Sequence, residues 1–327
     1  MTGATKLIAL DWGTSSLRAY RLGDDGAVLD RRALPWGIMN LPVVEASAVG
    51  SKAGFEQAFE EACGDWLAAA PGTPVVAAGM VGSAQGWREA AYLEVPLQVA
   101  DIGAGLTAVP TRNGAVLHIV PGLIERGELP NVMRGEETQV AGALQDGAAG
   151  ELLIGLPGTH SKWVRIMGEH GGERFTHFDT FMTGEAYAAL SGHTILGRTM
   201  ERGAGAGFDA AAFERGARVA LGAAGINGVL STIFSTRTLG LTGALNGAAQ
   251  ADYLSGLLIG HEIAALRAAR MGDGLTANPR VVLIGDGKLC ERYRQALALY
   301  GYTDVSVAAQ ATERGLWKLA MQAGLIR

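Results

Sequence analysis

Residues 6–26 read KLIALDWGTSSLRAYRLGDDG, and residues 151–171 read ELLIGLPGTHSKWVRIMGEHG. Each begins with a short apolar run (6–10 and 152–156), which predicts a strand, followed by a turn (11–16 and 157–161) rich in Gly, Ser and Thr. A second strand follows (17–22 and 162–167), then a glycine-containing turn (23–26 and 168–171) and a third strand, from 27 toward 34 in the first stretch and containing Phe175 and Phe178 in the second. Gly13, Thr14, Ser16, Gly23 and Gly26 recur 145 positions later as Gly158, Thr159, Ser161, Gly168 and Gly171. One such turn is an ordinary β-hairpin. Two in register predict an internal duplication and hence two lobes of similar build, 1–147 and 148–327.

The rest of each half alternates helix and strand. Phe55, Phe59, Ala62 and Trp66 have helical spacing, with Pro71-Gly72 as the stop, and 74–80 reads as a buried strand. Helices are predicted at 208–223, 251–271, 289–300 and 312–323, with a strand at 280–284 running into Gly285-Asp286-Gly287. Antiparallel hairpins followed by alternating strands and helices give an α/β class with mixed sheets.

Composition excludes several functions. The 48% hydrophobic content suits a globular core, and no apolar run reaches membrane-spanning length. A net charge of −5 gives no general footprint for nucleic acid, so an anionic substrate has to meet local cations. The nearest to the motifs are Arg18, Arg134 and Lys162. Cys63 and Cys290, far apart and without histidines at ligand spacing, form neither a disulfide framework nor a metal site, which fits a cytoplasmic protein. Self-association into a homo-oligomer is left open.

Chemistry concentrates in four places. Asp11 closes a strand beside the N–H groups and hydroxyls of Gly13, Thr14, Ser15 and Ser16, a nest suited to phosphate oxygens, with the carboxylate able to hold Mg²⁺ through its water shell. The second turn offers Gly158, Thr159 and Ser161 but has Leu156 where the first has Asp11, and its His160 reads as a site-wall residue. Glu136 and Glu137 follow Gly135 at a predicted helix start, where acidic residues are favoured electrostatically and where one of them can take a proton from an attacking hydroxyl. The loop GMVGSAQGW (79–87) offers Ser83, Gln85 and Trp87 to a polar small molecule. Neither a GxxxxGK[ST] loop nor a strand-linked GxGxxG is present, so a nucleotide site has to be of another kind.

LIALDWGTSSLRAY, ELLIGLPGTHSKWV and RVVLIGDGKLCERYRQAL resemble the two phosphate motifs and the adenosine motif of the sugar-kinase/actin/Hsp70 superfamily. ATERGLWKLA is similar to its closing helix. With PWGIMN, GMVGSAQGW and NVMRGEETQ, the pattern resembles the 2-dehydro-3-deoxygalactonokinase family across nearly the whole chain. The resemblance implies a two-lobed actin-like, ribonuclease H-like fold with ATP between the lobes and Mg²⁺ at Asp11. It places Gly285 and Gly287 near the adenosine and Glu136 at the position of the catalytic acid, with Glu137 in reserve. Ser83, Gln85, Trp87, Arg134 and Lys162 become candidates for the sugar acid. The implied reaction transfers the γ-phosphate of ATP to the 6-hydroxyl of 2-keto-3-deoxy-galactonate in galactonate catabolism. A kinase of another keto-deoxy sugar acid, or a phosphatase or ATPase, would use the same fold.

Overall fold

The computed structural model describes residues 3–44, 52–144, 150–169, 172–201, 207–275 and 278–327. The expected boundary at 147/148 and the turn residues His170 and Gly171 lie outside them. The first series of elements is β1 (Leu7–Trp12), β2 (Leu17–Leu22), β3 (Val28–Leu34), α1 (Ala53–Ala69), β4 (Val75–Ala78), β5 (Tyr92–Glu94), β6 (Leu97–Gln98) and α2 (Val99–Ala104). It continues with β7 (Thr107–Pro110), β8 (Val116–Ile119), β9 (Gly122–Glu125), β10 (Asn131–Met133) and α3 (Glu136–Ala143). The second series is β11 (Gly150–Leu156), β12 (Ser161–Glu169), β13 (Gly172–Phe181), α4 (Thr183–His193), α5 (Ala210–Ala217), α6 (Val229–Thr232) and α7 (Ser235–Leu241). Then come α8 (Gly247–Gly272), β14 (Arg280–Leu283), α9 (Gly287–Leu299), β15 (Val305–Val307) and α10 (Ala311–Gln322).

The duplication appears directly in the strand order. One sheet runs β3-β2-β1-β4-β8-β7, and another runs β13-β12-β11-β14-β15 with β6 beyond β13. In each, three consecutive strands lie side by side, and the first of them also pairs in parallel with a strand reached through helices. Ile8, Ala9 and Leu10 face Val75, Val76 and Ala77; Leu153, Ile154 and Gly155 face Val281, Val282 and Leu283. Leu7–Leu10 is wholly buried, as expected for a central strand covered on both faces. The α/β class with mixed sheets and a duplicated strand arrangement is therefore present.

The chain divides into two compact units, but not at one point. The first comprises Met1–Gly150, Arg165–His177 and Ala308–Arg327; the second comprises Glu151–Val164 and Phe178–Val307. These units differ from the expected 1–147 and 148–327 in assigning 165–177 and 308–327 to the first. In the first unit, the far end of the β12/β13 hairpin pairs Arg174 and Phe175 with Gln98 and Leu97. The reason α10 joins this unit is its packing on α3. A Cβ on Gly142 would lie 1.9 Å from the Ala311 carbonyl oxygen, and one on Gly315 would lie 1.9 Å from that of Thr138. The two helices touch backbone to backbone, and Gln139 Nε2 donates to Thr312 Oγ1 at 3.2 Å.

The first unit's core is built on α1, whose Phe55, Ala58, Phe59, Ala62 and Trp66 meet Ile8, Leu10, Val75 and Leu117. The second packs Trp163, Phe213, Ile263, Leu283, Tyr293 and Tyr300 together. The predicted helix at 208–223 stops at Ala217 and passes into a 3-10 turn, Arg218–Leu221. α8 starts earlier than expected because Asn246 caps it, accepting the Ala249 N–H at 2.8 Å.

Gly315→Ala tests the α3–α10 contact. Helix propensity alone favours alanine by about 1 kcal/mol, whereas the overlap with the Thr138 carbonyl is expected to destabilise the protein by roughly 2 kcal/mol or more. Thermal melting decides the sign, with Gly127→Ala as a control whose new Cβ meets nothing within 4 Å.

Candidate functional site

The antiparallel register of β1 and β2 puts Asp11 opposite Arg18 and Trp12 opposite Leu17. The turn between them closes through the Gly13 N–H, which donates to the Ser16 carbonyl at 2.9 Å. From behind, the segment after β3 holds it: the Ile38 N–H donates to Gly13 O and the Met39 N–H to Thr14 O, each at 3.1 Å, while the Trp12 indole donates to Trp36 O at 2.7 Å. With these carbonyls bonded inward, Thr14 and Ser15 remain exposed. Asp11 Oδ2 accepts from Arg18 Nη1 at 3.1 Å. Burial raises the Asp11 pKa above the ordinary carboxylate value, and the Arg18 guanidinium opposes that shift.

Gly79 follows β4 with φ +96°, and a Cβ there would lie 2.8 Å from the Trp12 carbonyl oxygen. On its other side, a Cβ on Gly135, the residue preceding α3, would lie 3.3 Å from Gly79 Cα. The first phosphate-type turn, the start of the 79–87 loop and the start of α3 therefore meet at one point. Glu136 and Glu137 occupy the first turn of α3. Glu136 is half-buried and accepts the Arg134 N–H at 3.0 Å. Glu137 is fully buried, accepting the Gly135 N–H at 2.7 Å and the Thr138 hydroxyl at 3.0 Å. Burial, reinforced by the Glu136 charge, pushes the Glu137 pKa up to about 7.

Beside them, Gln85 is exposed, and Ser83 Oγ is buried without a hydrogen-bond partner among the described residues. The Arg134 guanidinium lies 4.4 Å from the Tyr92 ring centroid and donates through Nη2 to Ala90 O at 2.8 Å. Its Nε and Nη1 are buried without hydrogen-bond partners among the described residues. Buried donors of this kind call for an explanation. Trp87, expected at the acceptor site, is instead a core residue, 3% exposed and packed on Trp12, Phe55 and Phe59 with ring centroids 5.7–5.9 Å away.

The second unit repeats the construction. The Glu185 N–H donates to Thr159 O at 2.9 Å, as Met39 does to Thr14. Gly285 follows β14 with φ +148°, and a Cβ there would lie 3.2 Å from the Pro157 carbonyl oxygen. Pro157 stands 145 positions after Trp12, so the glycine–carbonyl contact is duplicated along with the turn. Gly158 is partly exposed and Thr159 exposed, whereas Leu156, the counterpart of Asp11, is buried. Gly285 and Gly287 are exposed at the entry to α9, where Asp286 accepts the N–H groups of Lys288 and Leu289 at 3.0 and 3.1 Å. A cavity of about 320 Å³ adjoins the turn, lined by Gly158, Thr159, Gly184, Tyr187, Arg292 and Tyr293 among others. Arg292 pairs with Asp252 at 2.9 Å and lies 4.7 Å from the Phe208 ring centroid. His160 Nε2 sits 2.5 Å from Glu185 Oε2, as a wall of the turn.

Two expected ligand contacts in this unit have structural partners instead. Ser161 is buried with its hydroxyl 2.9 Å from that of Tyr293, and Lys162 is buried, donating to Thr180 Oγ1 at 2.6 Å. Both lie beyond the turn on β12, where the strand enters the core.

Residues 11–319 match the family described as 2-keto-3-deoxy-galactonokinase. The chain belongs to that family. It is 37% identical to a Rhizobium meliloti protein bearing the name 2-dehydro-3-deoxygalactonokinase, over 98% of this chain and 100% of that one. An Escherichia coli 2-dehydro-3-deoxygalactonokinase is 35% identical over 98% and 96%. A Sinorhizobium meliloti crystal structure under the same enzyme name superposes with a TM-score of 0.81 at 36% identity, covering 96% of this chain and 98% of that one.

In this member of the 2-keto-3-deoxy-galactonokinase family, the residues beside the second turn include Tyr187, Arg292 and Tyr293, which the sequence did not single out. Tyr187 stands outside every quoted motif, whereas Arg292 and Tyr293 stand within RVVLIGDGKLCERYRQAL but past its glycines; the fold brings all three to the cavity beside the second turn. No group of three or more His, Cys, Asp or Glu side chains among the described residues could hold a metal by itself.

The buried Glu137 has a measurable signature. Its proton is held more tightly in the folded than in the unfolded chain between the model-peptide value of 4.5 and about 7, so its contribution to stability is present at low pH and lost as pH rises through that window. Glu137→Gln removes this dependence. Relative to wild type, the variant is expected to gain up to about 3 kcal/mol between pH 4.5 and 8, measured by denaturant unfolding at several pH values.

Proposed function

We propose that this chain is an ATP-dependent kinase that phosphorylates the 6-hydroxyl of 2-dehydro-3-deoxy-D-galactonate, a step of galactonate catabolism in the cytoplasm. Family membership supports the activity and substrate. The observation that carries the mechanism is the meeting of Trp12–Gly13, Gly79 and Gly135, which sets a phosphate-type turn, an acceptor loop and a carboxylate side by side within one unit. That both cysteines are free and buried fits a reducing compartment.

In this reading Glu136 is the general base, because it is accessible where Glu137 is sealed among backbone and Thr138 partners. Its carboxylate takes the proton of the 6-hydroxyl as the oxygen–phosphorus bond forms and the bond from the γ-phosphorus to the bridging oxygen breaks, releasing ADP. Asp11 fits Mg²⁺: it is a single, partly accessible carboxylate at a phosphate-type turn, and Mg²⁺ is commonly held by one or two carboxylates plus substrate phosphates and water. Mg²⁺ bound there would neutralise phosphate charge. Gly13, Thr14, Ser15 and Ser16 are assigned to phosphate in the first unit. Gly158 and Thr159, with the cavity beside Tyr187 and Arg292, are assigned to the nucleotide in the second, near Gly285 and Gly287. Arg134 and Ser83, with buried donors that lack partners among the described residues, are assigned to the acceptor's carboxylate, with Gln85 at the exposed rim.

Purified protein with Mg-ATP is expected to form ADP only with the sugar acid present. Phosphate release at the same rate without acceptor would move the chain to the hydrolase class. Glu136→Gln should lower kcat by about 10²- to 10⁴-fold. A second assay separates Arg134 from the base: Arg134→Met should raise the acceptor KM by about 10- to 100-fold, as for loss of a hydrogen bond to a charged group, with the ATP KM little changed. An unchanged acceptor KM would remove Arg134 from carboxylate recognition.

A further inference from the structure

Glu262, on α8, is 2% exposed and has no part in the chemistry described above. Its carboxylate is surrounded by donors from three other elements. The Trp163 indole of β12 donates to Oε1 at 2.7 Å, and the Tyr293 hydroxyl of α9 donates to Oε2 at 2.7 Å. The hydroxyls of Thr183, at the start of α4, and Ser161, at the start of β12, lie beside it and favour its charged form. The Ser161 hydroxyl is in turn 2.9 Å from that of Tyr293.

Each donor lies close to the second turn. Ser161 is two residues after Thr159. Thr183 is two residues before Glu185, whose N–H holds the Thr159 carbonyl. Tyr293 and Thr183 line the same cavity as Gly158 and Thr159. A buried carboxylate is costly to retain where an apolar side chain would fill the space. Here it receives donors from β12, just beyond the turn, and from α9, with Thr183 of α4 beside it. Satisfied in this way, the network fixes one arrangement of turn, α4 and α9.

We infer that Glu262 is a positioning residue for the nucleotide, holding the second turn and the cavity walls in the arrangement that binds it. This rests on the kinase reading. Burial raises the Glu262 pKa to about 6, against the pull of the hydroxyl and indole groups around it.

Full-length wild type, Glu262→Gln and Tyr293→Phe are compared by calorimetric titration with Mg-ADP and by steady-state kinetics. The Trp163 indole resonance is followed by ¹H–¹⁵N NMR, assigned with Trp163→Phe. Glu262→Gln is expected to weaken nucleotide binding at least tenfold and to raise the ATP KM in proportion, while the sugar-acid KM at saturating ATP stays within twofold. Tyr293→Phe keeps the packing and loses one donor, and should weaken binding about threefold. In wild type the Trp163 resonance should move on nucleotide addition. Folded Glu262→Gln and Tyr293→Phe with wild-type affinity would overturn the positioning role and leave the kinase reading intact. A wild type that binds no nucleotide would overturn both. If Glu262→Gln does not fold, Tyr293→Phe alone decides between these outcomes.

Discussion

A glycine pressed against a backbone carbonyl, at the point where a parallel strand ends beside a hairpin turn, is the constraint on which the candidate site depends. Gly79 makes this contact with Trp12 and Gly285 makes it with Pro157. Both glycines have positive φ, so a side chain would meet backbone strain and a clash together. The contact matters because it brings the loop after the parallel strand to the turn between the first two strands. In the first unit that loop leads into residues 79–87 and also touches the start of α3. In the second it leads into α9, whose Arg292 and Tyr293 reach the neighbouring cavity.

Duplicated backbone with diverged side chains explains the division of chemistry. The 145-residue offset carries over the turn and its two acceptor carbonyls, of Trp12 and Thr14 and of Pro157 and Thr159, the first of each pair met by a glycine and the second by a bracing N–H from elsewhere in its unit. It does not carry over the acid: Asp11 has Leu156 as its counterpart. One copy therefore holds the metal-type carboxylate, the candidate base and the Arg134 Nε and Nη1 donors that lack partners among the described residues. The other has an apolar-lined cavity and a buried network around Glu262. Of two adjacent glutamates at the start of α3, burial removes Glu137 from solvent and leaves Glu136 accessible, a distinction made by packing and not by chemistry.

The hairpins were legible because turn chemistry is local. β2 has the predicted bounds, and α1 contains the expected Phe55–Trp66 spacing and ends before Pro71-Gly72. Asp11, Gly13 and Thr14 could be read from their own neighbours. The destination of α10 could not, because only Gly142 and Gly315 together, 173 residues apart, let the two helices meet. The burial of Trp87, Ser161 and Lys162 is illegible for a related reason: a polar or aromatic residue next to a glycine turn looks alike whether it points to ligand or core. Glu262 had no signal at all, being one acidic residue in a long Ala/Leu-rich helix.

The most direct measurement is single-turnover phosphorylation of the sugar acid by Gly79→Ala and Gly285→Ala, with circular dichroism confirming that each is folded. If the paired glycine–carbonyl contacts hold the two turns in working positions, each variant loses at least tenfold in rate, as small misplacements of reacting groups do. A folded variant of either kind that keeps the wild-type rate would contradict that dependence.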